Sequence, residues 1–296
     1  MLKLQGVITA LATPFKDGAL DQETYANHIN SQVDAGVSGL CPIGTTGEAA
    51  AMSPEERRRA VEIAVLCADG EVPVVAGAGA NSTAETIRNV AMVRDAGADA
   101  ALVVTPYYNK PTQEGLLAHY RAIVAAHPGF PLVAYNVPGR TGVDLLPDTV
   151  RRLADIPEIV GLKEATGSIQ RLIDILELVG TERFSLLSGD DFTALPFVEM
   201  GGHGVISVSS NIVPDFMAAM LRLAEIGDLR TAARFQIKLN ALHRALFSES
   251  NPIPVKAALF ETGRFGPEIR LPLTPMSAQK REILKNALRA LGVPLA

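Results

Sequence analysis

The chain has 296 residues, a formal net charge of −5 and no run of lysine or arginine. That balance excludes a nucleic-acid footprint or a polybasic membrane anchor. With 48% hydrophobic residues it can bury a large core, yet no unbroken apolar stretch reaches the roughly 18 residues of a membrane span.

The first apolar run, Val7-Ile8-Thr9-Ala10-Leu11-Ala12, ends in a small-x-small triplet like a signal-peptidase site. It is shorter than an h-region of about 7 to 15 residues and only Lys3 supplies charge before it, so it reads as a strand. Further strand-like runs begin near Gly39, Val72, Ala100, Pro131, Ile159, Phe184 and Gly204. Several are continuously apolar, such as Ala100-Ala101-Leu102-Val103-Val104, as strands buried on both faces of a parallel sheet require.

Helical patterns alternate with these strands over 21–35, 54–68, 82–96, 112–126, 147–154, 169–179, 191–200 and 214–226. Ser53-Pro54-Glu55-Glu56 is a capping box with proline at the first helical position, and Ser82-Thr83-Ala84-Glu85 repeats the Ser-x-x-Glu pattern. Eight strands each followed by a helix predict an α/β fold, a (β/α)8 TIM barrel, over 1–226. An open doubly wound sheet is the competing architecture. Three further helices, over 228–247, 254–262 and 277–291, form a C-terminal extension over 227–296. Cys41 and Cys67 sit in apolar stretches and read as reduced, buried thiols of a cytoplasmic protein.

Catalytic groups in such barrels sit where strands end and the following loops begin. Of the eight lysines, Lys163 is the only one that directly terminates a buried strand, in Gly161-Leu162-Lys163-Glu164-Ala165-Thr166-Gly167. Apolar surroundings disfavour an ammonium and free the amine as a nucleophile. The competing reading is a lysine paired with Glu164. Tyr135 ends strand five, where a phenol can shuttle protons, and Arg140 in the following Pro-Gly turn suits bidentate carboxylate binding. A core aromatic and a solvated loop charge are the plainer readings of these two. Gly44-Thr45-Thr46-Gly47-Glu48 offers amides and hydroxyls as a small anion cradle, without the lysine or spacing of a phosphate loop. The paired Tyr107 and Tyr108 suggest packing or an interface. Gly77-Ala78-Gly79-Ala80-Asn81-Ser82 lacks the third glycine of a dinucleotide fingerprint, and the five scattered histidines show no metal-ligand spacing. No cofactor or metal is expected.

Together, the segments 44–48, 135–142 and 161–167 resemble the dihydrodipicolinate synthase family of pyruvate-dependent Schiff-base lyases and aldolases. Thr105-Pro106-Tyr107-Tyr108-Asn109, Leu187-Ser188-Gly189-Asp190-Asp191, Gly204-Val205-Ile206-Ser207 and Asn251-Pro252-Ile253-Pro254-Val255-Lys256 extend the likeness along the chain. The resemblance implies Lys163 as the Schiff-base nucleophile for pyruvate, with Tyr135, Thr45 and Tyr108 as a proton relay. It implies that the residue matching Tyr108 reaches in from a neighbouring subunit, hence at least a dimer, and a homotetramer built as a dimer of dimers. Thr46, the backbone at Ile206 and Gly189 would bind substrate, and Arg140 would take the carboxylate of L-aspartate 4-semialdehyde, a step towards diaminopimelate and lysine.

Relatives that cleave sialic acid typically lack an arginine in that turn, so N-acetylneuraminate lyase and other sugar-acid aldolases are the alternative. A non-catalytic keto-acid-binding barrel is a third. Many members are inhibited by L-lysine, and Asn81, Glu85 and Tyr107 match that site. Arg57 stands where lysine-sensitive members often have histidine, and Pro54 and Ala49 also differ. A cation at Arg57 would repel the inhibitor's ammonium or approach its carboxylate, and both readings stay open.

Overall fold

A computed structural model of the chain describes residues 2–180, 182 and 184–296. Eight strands form one all-parallel sheet: β1 Gly6–Ala10, β2 Gly39–Cys41, β3 Val75–Gly77, β4 Ala100–Val104, β5 Leu132–Asn136, β6 Ile159–Glu164, β7 Ser185–Ser188 and β8 Gly204–Ser207. Their order is β2-β1-β8-β7-β6-β5-β4-β3, and a parallel bridge between Leu40 and Val74 joins the two ends into a closed barrel. The open-sheet alternative is thereby excluded. The third strand begins later than the run at Val72 suggested. Pro73 has no N–H for the ladder, and its carbonyl instead accepts from the Leu40 N–H at 2.9 Å.

Side chains alternate between two buried layers. Ile8, Ala10, Leu102, Val133, Tyr135 and Ile206 fill the barrel interior. Val7, Leu40, Val103, Ala134, Leu162 and Leu186 face outward into the larger core beneath the helices. The period of two along each strand produces this division, and it explains why the strands read as unbroken apolar runs.

The surrounding helices are α1 Gln22–Asp34, α2 Pro54–Ala68, α3 Thr83–Asp95, α4 Gln113–Ala126, α5 Pro147–Ala154, α6 Ile169–Val179, α7 Ala194–Glu199 and α8 Pro214–Glu225. The Ser53 capping box is complete, with Glu56 N–H donating to Ser53 Oγ and Ser53 N–H to Glu56 Oε2. At Ser82 only the first half forms, at 3.4 Å, because the Glu85 carboxylate does not return to the cap. The pattern over 191–200 splits into a 3-10 turn and the short α7, after Asp190 caps Thr193 through its N–H and hydroxyl.

Three helices complete the chain: α9 Leu229–Leu246, α10 Ile253–Glu261 and α11 Ala278–Ala290. Leu239, Leu246, Leu259, Leu284 and Leu288 belong to the same apolar core as the outward strand residues. Beyond α10 the chain returns to the barrel. Arg270 donates two bonds to the Glu56 carboxylate and one each to the Gly18 and Ala51 carbonyls. A small antiparallel hairpin, Phe15–Lys16 with Ala19–Leu20, meets it there.

Gly204 pairs with Gly6 where β8 meets β1, and a Cβ at 204 would lie 2.1 Å from the Gly6 carbonyl oxygen. Backbone in a ladder cannot yield as a side chain can. We expect Gly204→Ala to lose about 1–3 kcal/mol in chemical denaturation. Gly139→Ala, whose Cβ meets nothing, should stay within about 0.5 kcal/mol of the parent. Equal midpoints for the two variants would contradict the packing.

Candidate active site

Every residue of β6 is buried, and the alternation of the strand decides where each points. Leu162 joins the outer core, while Lys163, at 7% exposure, turns into the barrel. Its Nζ lies 4.4 Å from the centroid of the Tyr135 ring, the residue paired with it across the ladder from β5. Glu164 points the other way. Its carboxylate accepts from Asn136 Nδ2 at 3.0 Å and from the Thr166 N–H at 2.8 Å. Asn136 also donates to Asp144, which Arg171 grips through two bonds of 2.9 and 2.7 Å. Burial raises the Glu164 carboxyl above the usual range, against these hydrogen bonds, whereas Arg171 holds that of Asp144 down. Among the described residues Lys163 has no ion-pair partner, and Glu164 is committed elsewhere.

Space around the lysine is created by small neighbours. A Cβ at Gly189 would come within 3.0 Å of Lys163 Cε and 2.6 Å of Ala165 Cβ. Ile206 is buried in the same inner layer. Cys41 lies close enough to feel the Lys163 charge, but burial dominates and pushes its thiol up to about 11.

Above this layer opens a cavity of about 490 Å³, with Thr45, Leu102, Val104, Tyr135, Val137 and Arg140 in its wall. Thr45 and Thr46 belong to the loop after β2. The N–H groups of Gly47 and Glu48 bond back to Gly44 and Thr45 carbonyls, so the expected anion cradle is reduced to its Thr45–Thr46 end. Thr46 is buried, and its hydroxyl accepts from Asn251 Nδ2 at 2.9 Å. The Asn251 carbonyl in turn accepts from Arg140 Nη2 at 3.2 Å. Asn251 carries no local signal of this role in the sequence, although its segment belongs to the resemblance.

The same cavity extends to Arg57, Glu85, Asn89 and Tyr107. Asn81 is not in its wall; its carbonyl accepts from Asn109 Nδ2 at 2.8 Å. Of the candidate proton relay, Tyr108 is the residue that the single chain does not bring to the cavity wall. It is 88% exposed with φ 74°, and its N–H bonds to the Thr141 carbonyl beside the Arg140 turn. No group of three or more His, Cys, Asp or Glu among the described residues is placed to hold a metal, and no described helix is long and apolar enough to cross a membrane.

An amine packed on a phenol at the C-terminal end of a (β/α)8 barrel, with that phenol and a guanidinium in the wall of the cavity above, is the equipment of a Schiff-base lyase. The chain belongs to the dihydrodipicolinate synthetase family, whose model matches residues 3–291. It is 48% identical over 293 residues to a 4-hydroxy-tetrahydrodipicolinate synthase of Maridesulfovibrio salexigens, covering 99% of this chain and all of that one. A synthase of the same name from Hyphomonas neptunium is 50% identical, with 97% and 98% covered. Among solved structures, dihydrodipicolinate synthase from Thermotoga maritima superposes with a TM-score of 0.96 at 42% identity, covering 99% of this chain and all of that one. The chloride-inhibited enzyme of Acinetobacter baumannii, complexed with pyruvate, gives 0.95 at 46% identity, with 98% and 99% covered.

Cys41 provides a check on this packing. With its thiol near 11, only roughly one molecule in a thousand carries the thiolate at pH 8. We expect iodoacetamide at pH 8 to spare Cys41 in the native protein, to modify the half-buried Cys67 first, and to modify both in denaturant. Ready native alkylation of Cys41, mapped by mass spectrometry, would contradict its burial beside Lys163.

Proposed function

We infer that this lyase condenses pyruvate with L-aspartate 4-semialdehyde, forming the 4-hydroxy-tetrahydrodipicolinate ring on the route to diaminopimelate and lysine. One observation carries the residue assignment: Lys163 ends a buried strand 4.4 Å from the Tyr135 ring, with no carboxylate partner among the described residues. The full-length likeness to synthases of that activity supports the substrates.

In this reading the Lys163 amine attacks the pyruvate ketone, and loss of water leaves an imine. Loss of a methyl proton converts it to an enamine, whose carbon attacks the aldehyde. The amino group of the aspartate-derived half then adds to the imine carbon, expels Lys163 and closes the ring. Tyr135 passes protons to and from nitrogen and the departing oxygen, relayed by Thr45 and by Tyr108 of a neighbouring copy. Thr46 and the backbone at Ile206 hold the pyruvate carboxylate, and Gly189 leaves room for the growing adduct. Arg140 binds the carboxylate of the aldehyde, which favours this reading over a sugar-acid aldolase.

The exposed Tyr108 fits a cytoplasmic homotetramer built as a dimer of dimers. Glu85 and Tyr107, in the outer wall of the cavity, fit a site for L-lysine together with Asn81. Arg57 in the same wall sets the charge that such a ligand would meet.

A coupled assay with pyruvate, L-aspartate 4-semialdehyde, a downstream reductase and NADPH tests the reading. Turnover should fall at least about 1,000-fold in Lys163→Ala. Arg140→Ala should lose about 10–100-fold in kcat/KM for the aldehyde, the value of a charge-assisted hydrogen bond. Borohydride with pyruvate should trap an adduct on Lys163. Absence of that adduct sinks every Schiff-base reading, whereas an adduct without turnover sinks only the choice of aldehyde.

A further inference from the structure

The loop that carries Thr45 and Thr46 is under backbone strain. Ile43 has φ 48°, a left-handed conformation that a β-branched residue rarely adopts, and Glu48 follows at φ 56°. Such conformations persist only where the surroundings over-determine them. On one side the constraint is steric. A Cβ at Gly77 would lie 2.2 Å from the Ile43 carbonyl oxygen, and one at Gly47 would lie 3.1 Å from Ile43 Cα. The loop therefore rests directly on the backbone of β3 and on itself.

On the other side the constraint is electrostatic, and it comes from outside the barrel. Glu48 Oε1 meets Lys256 Nζ at 2.5 Å, with side-chain exposures of 1% and 4%. The second carboxylate oxygen of Glu48 accepts from the Arg270 N–H at 2.9 Å. Lys256 and Arg270 both stack over the Phe15 ring, at 4.4 and 3.9 Å, and the Arg270 guanidinium is itself held by Glu56. Lys256 stands on α10, five residues after Asn251, whose side chain holds Thr46 and whose carbonyl holds Arg140. One short segment thus grips the loop at Glu48, the candidate pyruvate-binding hydroxyl at Thr46 and the candidate aldehyde-binding Arg140.

A fully buried ion pair seldom stabilises a fold more than well-packed apolar residues would, and its best-attested use is to fix one arrangement over others. We propose that Glu48 and Lys256 are positioning residues that lock the strained Ile43–Glu48 loop against α10 and so set where Thr45 and Thr46 meet pyruvate. Neither residue touches the reacting atoms. The proposal rests on the pyruvate-binding role inferred for that loop.

Hydrogen exchange and pyruvate trapping on the full-length protein separate the two ideas. In Glu48→Gln and in Lys256→Met, amide exchange over 43–51 should quicken at least tenfold, while the amides of β5 and β6 keep their protection. The pyruvate concentration for half-maximal borohydride adduct on Lys163 should rise about tenfold or more. The double variant should be no worse than either single, since both break one contact. Unchanged exchange over 43–51 overturns the lock. Faster exchange with unchanged half-saturation overturns the positioning role. If either single variant fails to fold, Glu48→Asp keeps the charge but retracts the carboxylate by one methylene, and unchanged exchange or half-saturation there is equally decisive. A parent protein that forms no adduct at all refutes the pyruvate reading together with the positioning role, and the exchange data alone then judge the lock.

Discussion

Because successive side chains on a strand face opposite ways, Lys163 and Glu164 cannot share a compartment. The barrel has one inner layer and one outer layer, and register assigns each residue of β6 to one of them. Glu164 faces outward, where Asn136, Thr166 and the Asp144–Arg171 pair compensate a carboxylate whose burial is otherwise costly. Lys163 faces inward, onto the Tyr135 ring, and keeps its amine out of reach of that network. A slip of one residue would exchange the two and leave a carboxylate at the barrel mouth. The outer polar network therefore belongs to the chemistry of the inner site as well as to stability.

Rigid strands supply the amine, the phenol and the backbone at Ile206, but the side chains that would recognise substrate come from loops. Arg140 sits in a single turn, Pro138–Thr141, and the threonines lie in a strained loop. Loops of this kind hold a geometry only if something outside them is fixed. Here that anchor is the segment from Asn251 to Arg270, packed on the barrel through the shared apolar core and tied back at Glu48 and Glu56. This segment thus acts on the site through four polar contacts: Asn251 with Thr46 and with Arg140, Lys256 with Glu48, and the Arg270 N–H with Glu48. Its apolar packing supplies the rigidity that makes those contacts selective.

Periodicity shows what is local and regular, which is why the eight strands and the major helices could be read from the chain with ends shifted by only a few residues. The third strand starts a few residues into its apolar run, because Pro73 has no N–H for the ladder. The hairpin at 15–20 was overlooked although Asp17-Gly18, both with positive φ, is the usual two-residue turn. The Ser82 box was half right, because tertiary surroundings drew the Glu85 side chain to the cavity instead. The places of Lys163, Tyr135 and Arg140 at the C-terminal end of the barrel are legible in the sequence because each follows an apolar run. The partnership of Glu48 with Lys256 was not, since 208 residues separate them and neither shows a local pattern. Motif resemblance marked both segments, yet only the fold makes them neighbours.

Tyr107 and Tyr108 show how far one chain can complete the site. They are adjacent, but Tyr107 joins the cavity wall while Tyr108 is 88% exposed in a left-handed conformation. A large aromatic held outward at an energetic cost is poorly explained by the isolated chain, because water offers its ring no compensation. The hydrogen bond from its N–H to Thr141 fixes the tyrosine loop to the turn that carries Arg140. Covering Tyr108 with a second copy would therefore order the arginine turn of the first. Under the proposed function, assembly and aldehyde recognition then meet in one loop, and Tyr107 carries the same loop to the outer end of the cavity. A ligand bound there would press on the segment that also places the relay tyrosine, a path only one residue long.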